Sequence, residues 1–228
     1  MNRLQSELRR LYLLPSPETD GQLMDASGQV RAMVMELTGP ADWDELSRVW
    51  RGVQADLELP APGIAVSGTE GLQLWFSLQL PVSASRATAF LAGLRSGYLT
   101  DVAAARLRSS PSASGPAFDT ALVPAEQAST GNWSAFVAPD LAPVFADTPW
   151  LDIQPGVEGQ ADLLARLQSI KPAAFDAVLL GLGPAVPVAQ ASTSDAADVD
   201  ARRFLQQVLN DETVALALRI EAAKALLR

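Results

Sequence analysis

The chain of 228 residues contains no cysteine and no histidine. Disulfides, thiolate and imidazole metal sites, cysteine nucleophiles and imidazole acid–base chemistry are therefore excluded. Any bound metal would be a hard cation on oxygen ligands, in the manner of magnesium, calcium or manganese. Lysine is scarce too: Lys171 and Lys224 stand alone, and arginine supplies the other cations. With 17 basic against 26 acidic side chains the formal net charge is −9. That balance speaks against a strongly basic surface that coats nucleic acid, while leaving room for a small local basic patch. No apolar run approaches the length of a membrane span. Near the N-terminus, Leu11 to Leu14 is too short for the apolar core of a secretory signal, so none is expected. The cysteine-free composition fits a bacterial cytoplasmic protein.

What is present suffices for a globular core, since 48% of residues are hydrophobic and 19% charged. The signals concentrate between Val30 and Pro81. Val30 to Leu37 reads as a covered strand, with Val30, Ala32 and Val34 in one row and Met33, Met35 and Leu37 in the other. Glu36 and Thr38 continue the first row, so they point to one side of the sheet. After Gly39-Pro40, apolar residues at Trp43, Leu46, Trp50, Val53 and Leu57 predict an amphipathic helix, its first turn carrying Asp44 and Glu45. Ile64 to Val66 and Leu72 to Leu78 then read as two strands of a hairpin. Ser67 to Gly71 joins them, with two glycines suited to positive φ and close backbone approach.

The flanks carry weaker patterns. Leu4, Leu8, Leu11 and Tyr12 predict a helix over 3–14. Ala87 to Tyr98 predicts another, capped by Ser83 or Ser85, with a further helical piece over 101–108. Arg86, Arg95, Arg106 and Arg108 form the densest basic neighbourhood, read as a solvated helix face, with a phosphate-facing patch as the minority alternative. Residues 109–115 read as a flexible loop and 121–123 as a short strand. The aromatic, proline-broken stretch from Trp133 to Trp150 reads as a lid on the core. Helices are expected over 161–170 and 173–182. Residues 183–199 are a small-residue linker and 200–228 a helical hairpin. The domain reading is thus an α+β domain over 1–182, with a small mixed or antiparallel RRM-like sheet packed by helices, then linker and hairpin.

One resemblance rests on the central stretch. An apolar strand with an acidic end, Gly-Pro, a helix, Leu-Pro, a strand and Ser67-Gly68-x-x-Gly71-Leu-x-Leu74 resembles the archaeo-eukaryotic primase superfamily. The layout is similar to the polymerase domain of bacterial end-joining ligases and to primase-polymerases of DNA replication. The resemblance implies that Glu36 stands where the family's first metal-binding Asp would be and Thr38 where the second would be. Ser67, Gly68 and Gly71 match the phosphate-contacting loop, and Gln73 stands in place of its His. Asp119 would add a further ligand for magnesium or manganese, with Asp152 an alternative.

The departures set what the resemblance implies. Two-metal phosphoryl transfer needs several carboxylates, which Thr38 does not supply, and Gln73 carries no positive charge. The expectation is a degenerate primase-polymerase-like domain that binds nucleotide or nucleic acid weakly and has lost catalysis. An active form would be a metal-dependent nucleotidyltransferase. The alternative is a protein-interaction module that keeps only the fold and contacts a partner, or its own copy, through the 200–228 hairpin. No phosphate-cradling GxxxxGKS/T, GxSxG elbow or EF-hand loop is present.

Overall fold

Strand β1 (Gln29–Thr38) is an inner strand of the sheet, and its alternation decides what packs on each side. The structure, a computed structural model, describes residues 2–15, 22–112 and 120–182. The 183–199 linker and the 200–228 hairpin lie outside the described residues, as does Asp119.

From β1 the chain enters α2 (Trp43–Ala55), preceded in sequence by α1 (Arg3–Leu11). Asp42 caps α2 by accepting a hydrogen bond from the backbone N–H of Glu45, as a short acidic side chain does at this position. The hairpin strands β2 (Gly63–Val66) and β3 (Gly71–Ser83) follow, then α3 (Ala84–Tyr98), capped by Ser83. A short 3₁₀ turn at Ala104–Arg106 leads into β4 (Leu107–Ser110). Beyond it come β5 (Ala135–Val137), a second 3₁₀ turn at Ala142–Phe145, α4 (Val157–Ala165) and α5 (Pro172–Gly181).

The five strands form one antiparallel sheet in the order β4-β1-β3-β2-β5. Its first four are a βαββαβ unit in 4-1-3-2 order, the ferredoxin-like arrangement to which an RRM-like core belongs. The α+β expectation holds, and the sheet is antiparallel rather than mixed.

Each face of the sheet has its own apolar core. Met33, Met35 and Leu37 of β1 join Ile64, Leu74 and Phe76 beneath α2, α3 and α5. The opposite row, Ala32 and Val34, joins Trp75, Ala65 and Phe136 beneath α1 and α4. On that second face Tyr12 stacks on Phe136 and meets the edge of Trp75, with centroids 5.9 and 5.2 Å apart. The pairing of β1 with β3 is interrupted between Ser77 and Val82 by a register shift, and there Leu78 bridges to Ile170 instead. Pro81 falls in this irregular stretch, where no ladder donor is needed.

Four expectations are corrected. Residues 101–108 are not a helix; they make the 3₁₀ turn and enter β4, an edge strand held by pairing with β1. Ser109 and Ser110 belong to that strand and not to a loop. Residues 121–123 form no strand, whereas Ala135–Val137, read as part of a lid, is β5. The helix expected from Ala161 begins at Val157 and ends at Ala165.

Candidate functional site

One cross-strand row collects a residue from every strand. Register pairs Arg108 with Glu36, Glu36 with Gln73, Gln73 with Ala65, and Ala65 with Phe136. Residues directly opposite one another share a face, so the five side chains stand side by side across the sheet. Its polar half lies at the end of β1 that adjoins the β2–β3 turn.

Glu36 is only 1% exposed. Its Oε2 accepts a hydrogen bond from Gln73 Nε2 at 3.0 Å, and its Oε1 lies 3.9 Å from Arg108 Nη1. Burial raises the Glu36 carboxyl above the ordinary carboxylate range; the Gln73 hydrogen bond and the Arg108 charge pull it down, and Glu70 on the turn pushes it up. Gln73 Oε1 in turn accepts from the indole Nε1 of Trp75 at 2.8 Å. An indole nitrogen can only donate, so it fixes which end of the Gln73 amide faces it, and the amide nitrogen must face Glu36.

The turn closes tightly around its own hydroxyl. Ser67 Oγ accepts from the backbone N–H groups of Thr69 and Gly71 at 3.1 and 2.9 Å. Gly68 adopts φ +82° and donates its N–H to the Pro149 carbonyl at 3.0 Å. Gly71 answers a different demand: a Cβ there would sit 2.5 Å from Glu36 Oε1, so only glycine lets the carboxylate lie across the strand. Thr38, opposite Gly71, donates its hydroxyl to the Arg106 carbonyl at 3.4 Å.

The structure thus brings Glu36, Thr38, Gly71 and Gln73 together, with Ser67 and Gly68 in the adjoining turn. Asp152 is exposed beyond Leu151. The four arginines expected on one helix face go to separate places. Arg86 pairs with Asp176 over the Phe175 ring, Arg95 stays exposed on α3, and Arg108 faces Glu36. Arg106 donates to the carbonyls of Thr38 and Pro40 and to Glu45.

Two participants escape sequence reading. Trp75 reads as core, yet its place two residues after Gln73 already puts it on the same face. Arg108 could be placed only by knowing that β4 pairs with β1.

The described donors do not fit a magnesium or manganese pair. They offer a single buried carboxylate with one oxygen engaged by an amide and the other beside a guanidinium. Among the described residues no group of three or more acidic side chains gathers to hold a metal. Nor, among them, is any helix long and apolar enough to cross a membrane.

No family model matches the chain, and no curated protein matches it. Among solved structures it is similar to the AEP domain of the primase-polymerase of cyanophage S-2L. Identity is 17%, the match covers 63% of this chain and 65% of that one, and the TM-score is 0.31. That likeness is weak and concerns fold alone, so the site's chemistry is read from its geometry.

Proposed function

We propose that this is a primase-polymerase-like domain that binds nucleotide or nucleic acid weakly through phosphate and does not transfer phosphoryl groups. The observation that carries the reading is the contact between the acid ending β1 and the glycine turn of the next hairpin. Glu36 lies over Gly71 and accepts from Gln73 at 3.0 Å, so strand end and turn form one unit. The single carboxylate among the described donors supports the loss of transfer, because an in-line displacement between two metal ions needs more than one carboxylate. A setting in DNA replication in the bacterial cytoplasm accords with this role.

The test is a titration of the full chain with a nucleoside triphosphate, followed by tryptophan fluorescence, with magnesium, with manganese and with chelator. Primer extension and pyrophosphate release are assayed in parallel. Saturable binding that survives chelation, with no pyrophosphate released, is the expected result. Metal-dependent incorporation would make the protein a nucleotidyltransferase instead. Absence of binding under every condition overturns the reading and leaves the protein-interaction alternative.

A further inference from the structure

We infer that the 3₁₀ turn at Ala142–Phe145, with Leu141 before it, is a docking surface for a cationic, amphipathic segment of a second protein. The inference goes beyond the phosphate-binding reading and does not depend on it.

The turn sorts its apolar side chains into two sets. Ala142 is fully buried, and Phe145 packs on the core beneath α2, α3 and α5. Leu141 and Val144 face the other way, 51% and 70% exposed. The Leu141 N–H donates to the Ala138 carbonyl and the Val144 N–H to the Leu141 carbonyl, both at 3.0 Å. Residues three apart eclipse one another in 3₁₀ geometry, so Leu141 and Val144 stand one above the other in a single outward strip. Ala142 and Phe145 already anchor the turn, and the strip adds nothing to the core. An apolar strip held rigid and turned to water is what a partner's apolar side chains bury against.

Charge decides which partner fits. No lysine or arginine occurs between Arg108 and Arg166, while acidic residues recur through that stretch. Asp140 and Asp147 bracket the strip in sequence, both are exposed, and neither makes an ion pair among the described residues. Carboxylates elsewhere in the fold are engaged: Glu158 and Asp162 by Arg3, Asp101 by Arg48, Asp176 by Arg86. Those beside the strip keep their field for an incoming cation. The matching surface is a segment that sets aliphatic side chains on one helical face and flanks them with lysine or arginine. A polyanion is repelled here. A second copy offering the same strip would bring like charges together, so the self-paired arrangement is disfavoured.

The experiment is titration of a labelled synthetic helical peptide of leucine and lysine with the full chain, followed by fluorescence anisotropy. A peptide with glutamate in place of lysine serves beside it. Wild type is expected to bind the lysine peptide saturably and to ignore the glutamate one. Leu141→Ser with Val144→Ser keeps the charge, removes the strip and is expected to weaken binding at least about tenfold. Asp140→Asn with Asp147→Asn should weaken it at least about threefold at low salt and flatten its salt dependence. Glu158→Gln with Asp162→Asn removes as much charge from α4, which packs on the other face of the sheet, and should change affinity less than about twofold. Circular dichroism and melting confirm that each variant folds. The inference is overturned by failure of wild type to bind the lysine peptide, or by undiminished binding in the serine pair. Equal weakening by the α4 pair and the asparagine pair overturns it too, since attraction would then be to net charge alone. Self-association in sedimentation that the serine pair abolishes would make a second copy the occupant and overturn it likewise.

Discussion

Glu36 shows how one residue's environment sets a balance that charge counting would miss. Withdrawing a carboxylate from water costs several kcal/mol in effective terms, and a partner at 3.9 Å offsets only part of that. Gln73 contributes a neutral donor, itself held by Trp75. The balance leaves the folded-state carboxyl above its ordinary value of 4.5, with burial as the leading cause. A raised folded-state value means that the folded protein holds the proton more firmly than the unfolded chain. Glu36 therefore contributes stability fully below the ordinary carboxylate value, and that contribution is lost as pH rises through the raised one. Glu36→Gln keeps an acceptor for Gln73 and carries no charge. It should melt higher than wild type at neutral pH, and the gain should shrink toward zero as pH falls below the ordinary glutamate range. Melting curves across that range check it; a gain that grew toward acid would contradict the sign.

At the scale of elements, the fifth strand depends on a side chain for its outer edge. β5 pairs with β2, and at its middle residue the groups turned away from β2 are taken up by Gln160 of α4. Phe136 N–H donates to Gln160 Oε1 at 2.7 Å, and Gln160 Nε2 donates to the Phe136 carbonyl at 2.9 Å. The amide thus imitates one residue of a neighbouring strand and closes an edge that would otherwise invite pairing. Gln160→Leu keeps the volume but leaves two buried backbone groups without partners. It should cost about 2 kcal/mol or more, read from urea unfolding, and speed amide exchange at Phe136 ahead of β1. This arrangement also explains what the sequence could and could not reveal. β1, α2 and the β2–β3 hairpin are legible because alternation, helical spacing and turn glycines are local properties. β4 and β5 are not, since they are short and owe their form to pairing with β1 and β2. Leu-Arg-Ser-Ser continues what looks like a helical arginine face, and Ala-Phe-Val sits among prolines that suggest irregular chain. The site divides the same way. Glu36, Gly71 and Gln73 could be placed together from the hairpin order, whereas Arg108 required the register of a distant strand.

At the scale of the whole described unit, the sheet is covered on both faces, and its N-terminal helix is tied in by an arginine from β1. Arg31 of β1 donates to the carbonyls of Arg9, Arg10 and Leu13 at the end of α1 and to that of Leu78. Arg10 does likewise for Leu164 and Leu167 at the end of α4. Arginines that serve as caps and struts cannot also form a basic track for a polyanion. The net charge of −9 sets a repulsive field around whatever phosphate does bind. Each phosphate contact to a single strand releases counterions worth a slope of about −0.7 in log K against log salt. If a single cation makes the phosphate contact, oligothymidylate binding should show a slope of about −0.7. Added salt also screens the acidic surface, whose repulsion fades beyond a Debye length of about 10 Å at 0.1 M, and this flattens the dependence further. A titration across salt concentrations decides the matter. A slope steeper than about −2 would demand three or more phosphate contacts and would contradict a reading in which few cations meet the ligand.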